Sequence, residues 1–174
     1  MQPIGDLEAL YRQHASAVFR FAFGLSRNRA DAEDIVSETF ARVATRASKI
    51  AHITARAYLL AVARNTFLDT QRRHAREARL TREMAPEQQN PVSLQDDRAR
   101  LVAALKALGA IPDGERAAFL LRVDNDFSYD EIALTLGISV VAAKVTRSRT
   151  VEMPSGLSLP LGLGMYTLLI GSGL

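Results

Sequence analysis

No cysteine and no tryptophan occur anywhere in the chain. The first absence excludes disulfides, thiolate zinc sites and a cysteine nucleophile, and it fits a reducing compartment. Aromatic residues make up only 6% of the sequence, and no strand pattern occurs before residue 150, which argues against a sheet protein. His14, His52 and His74 have no metal-ligand spacing, and neither a glycine-rich phosphate loop nor a nucleophile motif is found. No metal, cofactor, catalytic residue or small-molecule substrate is therefore expected, and a small helical enzyme is the weakest reading. Met1 to Glu8 carries acidic residues and no apolar run, so no signal peptide is read there and a cytoplasmic location is expected.

What is present favours helices. Alanine, leucine and arginine dominate a chain of 174 residues, of which 48% are hydrophobic and 24% charged, enough for one good core or two small ones. The net charge is only +3, but a pI of about 9.6 and clustered arginines point to an anionic partner.

The most informative stretch runs from Phe127 to Arg149 and reads as a helix-turn-helix. Ser128 is a good N-cap and Glu131 completes a capping box. Ile132, Leu134 and Leu136 are expected to supply apolar contacts before Gly137 breaks the helix. A second helix can start at Ser139, with Lys144, Arg147 and Arg149 on it. A short glycine-containing turn between two helices lets the second lie in a major groove while the first braces it.

Upstream, apolar residues at Leu7, Leu10, Tyr11, Val18, Phe19, Ala22, Phe23 and Leu25 form the stripe of a core-facing helix, broken at Ser26 to Arg29. A second helix opens near Asp31, burying Ile35, Val36, Phe40 and Val43 beneath an outer face of Glu33, Asp34, Glu38 and Arg42. After a loop around Lys49 to Thr54, one long helix runs from Ala55 to about Arg79. It is apolar at Leu59, Val62, Ala63 and Leu68, and increasingly basic afterwards. Two prolines and a run of amides mark a flexible linker over 80–97. The second block has helices at Arg98 to Leu108 and from Pro112, then the helix-turn-helix. The expected architecture is all-α. A first domain covers 1–79, a linker 80–97, a helix-turn-helix domain 98–150 and an atypical tail 151–174.

Three segments, in this order, resemble the extracytoplasmic-function group of the sigma-70 family of RNA polymerase sigma factors. Asp31-Ala-Glu-Asp-Ile-Val-Ser-Glu-Thr-Phe-Ala-Arg-Val43 is similar to region 2.2 of that family. Tyr58-Leu-Leu-Ala-Val-Ala-Arg-Asn65, with Asp69 and Arg72-Arg73, is similar to regions 2.3 and 2.4, and Ile111 through Ser139 to region 4. The resemblance covers about residues 5 to 146. It implies a promoter-specificity subunit that binds core RNA polymerase and promoter DNA and opens the duplex, with no chemistry of its own. It also implies an anti-sigma factor, commonly membrane-linked, as a further partner.

The resemblance assigns roles residue by residue. Docking on the polymerase clamp falls to Asp34, Glu38 and Phe40, with Ile35 as core. Contact with the minus-ten element falls to Arg56, Tyr58, Arg64, Asn65, Arg72 and Arg73. There a basic strip continuing through Arg76, Arg79 and Arg82 can neutralise phosphates, an aromatic can stack on an unpaired base, and an amide can meet a base edge. Tyr58 stands where the family usually carries tryptophan, and Ala55 where it commonly carries phenylalanine. Contact with the minus-thirty-five element falls to Ser128, Tyr129, Ser139, Val141, Ala142, Lys144, Thr146 and Arg149. Since Val141 and Ala142 offer few hydrogen bonds, much of this contact is expected to be to phosphate.

The resemblance breaks after Thr146. Arg147 and Thr150 interrupt the apolar stripe, and from Pro154 onward five glycines and two prolines accompany leucines. Three readings of this tail stand: a membrane anchor, a packing segment such as a hairpin, or an altered terminus that weakens upstream promoter binding. For the whole chain, the alternatives are a stand-alone helix-turn-helix regulator and a sigma factor impaired by its altered region 4.

Overall fold

The computed structural model describes residues 7–45, 54–81 and 95–151, and every regular element among them is a helix. In chain order these are α1 (Leu7–Ser26), α2 (Arg29–Thr45), α3 (Ala55–Thr81), α4 (Gln95–Ala110), α5 (Asp113–Val123), α6 (Tyr129–Leu136) and α7 (Val140–Val151). The chain divides into two compact units, Met1–Pro91 and Val92–Leu174.

In the first unit α1, α2 and α3 all pack on one another. Val18, Phe21, Ala22 and Leu25 form the buried seam of α1 at the spacing of a helical stripe. Phe21 lies off the stripe read from the sequence yet is fully buried, whereas Leu7 and Tyr11 are largely exposed. A helix flanked by two neighbours buries a wider arc than one amphipathic stripe, which is how Phe21 enters the core. Ile35, Val36, Phe40 and Val43 of α2 and Leu59, Leu60, Ala63 and Phe67 of α3 complete it. Each fully buried valine, leucine, isoleucine or phenylalanine among them contributes about 1.5–3 kcal/mol.

The turn between α1 and α2 is tighter than expected. Arg27 takes a left-handed conformation, φ 57°. The side chain of Asn28 accepts a hydrogen bond from the Asp31 amide at 3.2 Å. Asn28 therefore caps α2, which opens at Arg29 rather than near Asp31. Thr54 does the same for α3, its hydroxyl accepting from the Ala57 amide at 3.2 Å.

In the second unit α5, α6 and α7 pack together around Leu120, Leu121, Ile132, Leu136 and Ala143. The capping box forms in full: the Ser128 hydroxyl accepts from the Glu131 amide at 3.2 Å, and the Ser128 amide donates to the Glu131 carboxylate at 2.8 Å. Gly137 ends α6 at φ 65°, where the space is open but an L side chain would be strained. Ser139 caps α7, accepting from the Ala142 amide at 3.1 Å. Leu134 departs from the sequence reading, being 56% exposed while Ile132, Ala133, Thr135 and Leu136 turn inward.

A buried cation organises the start of α5. Arg116 donates to the Ile111 carbonyl at 2.9 Å and pairs with Asp113 at 2.8 Å. Both partners flank the Pro112 turn, so the guanidinium ties the end of α4 to the first turn of α5. Residues 82–94 of the expected linker and the tail 152–174 lie outside the described residues. The backbone of α7 continues past Thr146 to Val151.

Candidate nucleic-acid interface

On α3, helical periodicity and burial together sort the six residues expected at the minus-ten element. Tyr58, Asn65 and Arg72 recur every seven residues and so share one ridge, opposite the buried Leu60, Ala63 and Phe67. Asn65 and Arg72 are exposed and Tyr58 is half-buried. Beyond them, residues 71–79 are exposed without interruption, so Arg76 and Arg79 extend the ridge as an accessible basic strip. Arg82 lies outside the described residues.

The other three residues leave that ridge. Arg64 is half-buried on its flank, and Arg73 is exposed on the side facing α2. Arg56 is half-buried and its charge acts on His14 of α1. Burial first, and the Arg56 cation second, hold the His14 imidazole below its ordinary pKa of 6.5. Arg56 therefore belongs to the packing of α3 on α1 rather than to the outward strip.

The acidic face of α2 also differs from its simple reading. Asp34 and Glu38 are exposed, but Phe40 is only 5% exposed and packs its ring 4.8 Å from that of Tyr11. As a correction, Phe40 supports the helix from beneath and offers no surface to a partner. Glu38 accepts from Arg42 at 2.7 Å, and Arg42 reaches across to Asp69 of α3 at 3.2 Å. This bridge, chiefly the hydrogen bond to Glu38, raises the Arg42 pKa further. It spans a polar cleft of about 450 Å³ lined by Asp34, Ser37, Glu38, Thr66, Asp69 and Arg73 among others. Thr66 is only 3% exposed, and its hydroxyl finds no hydrogen-bond partner among the described residues. The Glu38-to-Arg42 spacing was a readable signal for half of the bridge. The partner twenty-seven residues away was not.

In the second unit Ser128 is exposed, yet its hydroxyl and amide are both engaged in the capping box. Tyr129 is half-buried, with the Arg122 guanidinium 5.4 Å from its ring centroid. The cap Ser139 and, on α7, Val141, Ala142 and Lys144 are all exposed, while Ala143 is buried. Thr146 and Arg149 sit on the same helix by backbone; their side chains lie outside the described residues. Val145 is 47% exposed one turn after Val141. The i, i+4 repeat of valine is the sequence signal for this pair.

No helix among the described residues is long and apolar enough to cross a membrane, and no group of potential metal ligands occurs among them. Comparison with known proteins gives a consistent result. The family model for Sigma-70 region 2 matches residues 10–77, and that for Sigma-70 region 4 matches residues 101–153. The chain is 36% identical to the ECF RNA polymerase sigma factor SigE of Mycolicibacterium smegmatis over 82% of its own length and 58% of that protein's. It is 34% identical to the ECF RNA polymerase sigma factor SigL of Mycobacterium tuberculosis over 76% of this chain and 77% of that one. The fold is similar to that of the sigma factor RpoE, solved in complex with the anti-sigma factor NepR from Bartonella quintana. The TM-score is 0.67 at 23% identity, covering 98% of this chain and 100% of that one. The chain therefore belongs to the extracytoplasmic-function group of sigma-70 family RNA polymerase sigma factors, DNA-binding proteins of transcription initiation.

Proposed function

We propose that the chain docks on core RNA polymerase through the Asp34 and Glu38 face of α2, melts the minus-ten element along α3 and holds the minus-thirty-five element with α7. In this reading Tyr58 stacks on an unpaired base, Asn65 meets a base edge, and Arg72, Arg76 and Arg79 neutralise phosphates. Lys144 and the amino-terminal turn of α7 bind the upstream duplex, and residues 82–94, between α3 and α4, serve as the tether between the two contacts. The chain works in the cytoplasm and supplies no chemistry itself; the polymerase does. An anti-sigma factor fits as regulator because the same acidic face that meets polymerase can be covered by a competitor.

The observation that carries this reading is the segregation on α3, where an aromatic, an amide and an arginine share one outward ridge that runs into an exposed basic strip. A stand-alone regulator binding duplex DNA has no use for that ridge. The test is run-off transcription by purified core polymerase on a randomised promoter pool. Transcripts that depend on this chain and share two sequence blocks are expected. Duplex binding without polymerase, and no transcripts with it, would point to the stand-alone regulator.

A further inference from the structure

The helix that faces the upstream promoter element presents valine at its outermost positions. Ala143 is buried, and Val141 and Val145 lie on the opposite side of α7, 70% and 47% exposed. Ala142 and Lys144 are exposed on either flank of that ridge. An exposed valine pair on a short surface helix contributes little to stability. β-Branched residues lose rotamer freedom in a helix, and these two bury little. Their stem-like shape carries methyl groups outward and no hydrogen-bonding group at all. In a major groove, the base-edge feature that such a surface meets without leaving a polar atom unpaired is the methyl group of thymine.

Spacing narrows the match. Four residues of α-helix advance about 6 Å, and two base steps advance about 6.8 Å. Two valines one turn apart can thus face two thymines two steps apart, with Lys144 beside them to meet phosphate. Resting on the reading of α7 as the promoter-contacting helix, we propose that Val141 and Val145 set the specificity of the upstream contact. Each covers one thymine methyl at A·T pairs separated by two base steps.

The test uses holoenzyme assembled from core polymerase and the full chain, with an upstream element that this holoenzyme selects from a randomised duplex pool. Uracil is then placed at each thymine in turn, which deletes one methyl and nothing else. Two positions two steps apart are expected to lose about fourfold in binding each, the value of one buried methyl group. Val141→Ala and Val145→Ala, both at exposed sites that leave the fold intact, should each become indifferent to uracil at one of them. Equal binding of every uracil-substituted duplex, or a selected element without such A·T pairs, overturns the proposal while the sigma reading stands. A holoenzyme that selects no upstream element overturns both. Uracil sensitivity that survives both substitutions while polymerase affinity falls assigns the valines to a protein contact and also overturns it.

Discussion

The two units meet solvent in opposite ways. The first covers an aromatic core of Phe19, Phe21, Phe40 and Phe67 with charge: Arg29 pairs with Glu33, Arg42 ties Glu38 to Asp69, and α3 ends in exposed arginines. The second has a mostly aliphatic core, keeps a charge inside at Arg116, and turns Leu134, Val141 and Val145 outward. Both are small helical units, so the contrast lies in what each presents. A charged ridge with one aromatic suits separated strands, whose phosphates and unstacked bases are accessible. A narrow apolar ridge flanked by lysine suits an intact duplex, whose groove displays methyl groups.

The largest test of this contrast is in the cores. Phe21 and Leu120 are both fully buried. Phe21→Ala should cost about 3–5 kcal/mol and Leu120→Ala about 2–5 kcal/mol. If the units are separate cooperative bodies, calorimetry will show each substitution lowering one unfolding transition and sparing the other. A single transition lowered by both would break the comparison.

Next in size, Ser128→Ala removes half of the capping box and should cost about 1 kcal/mol, confined to the second unit. Glycine at the same position should cost only a few tenths. Thermal unfolding followed by circular dichroism separates the two variants.

Arg42→Met should change stability by less than about 1 kcal/mol, because the bridge to Glu38 and Asp69 is part-exposed and screened. Its larger effect should be on docking, since it frees the Glu38 carboxylate for a basic partner. Titration of core polymerase at two salt concentrations would show tighter binding for the variant at the lower one. Unchanged affinity would remove Glu38 from the interface.

The smallest effect concerns pH. In the fold the His14 imidazole sits below 6.5, held there by burial and then by Arg56. The unfolded chain therefore binds more protons in the window just below 6.5, and the first unit should lose stability as pH falls through it. His14→Gln should flatten that dependence in denaturant titrations. An unaltered slope would place the responsible group elsewhere.

The sequence exposed what is local and periodic. The capping box, the glycine stop and the burial of Ile35 and Val43 follow from spacing within a single helix, and all are found. What escaped depends on neighbours. Phe21 is buried because α1 lies against two helices, and Arg56 lies inward beside His14 where α3 packs on α1. The Arg42 bridge joins residues twenty-seven apart that only folding brings together. Leu134 and Val145 show the converse, apolar residues that their own helix assigns to solvent.

The division of labour between the charged ridge and the apolar ridge is most directly tested by footprinting one promoter complex. Holoenzyme made with the full chain, with Asn65→Ala and with Val141→Ala/Val145→Ala would be probed for unpaired thymines downstream and duplex protection upstream. The account predicts that Asn65→Ala abolishes the unpaired thymines and leaves upstream protection in place, while the valine pair weakens upstream protection first. Loss of both signals together from either variant, or their exchange, would contradict it.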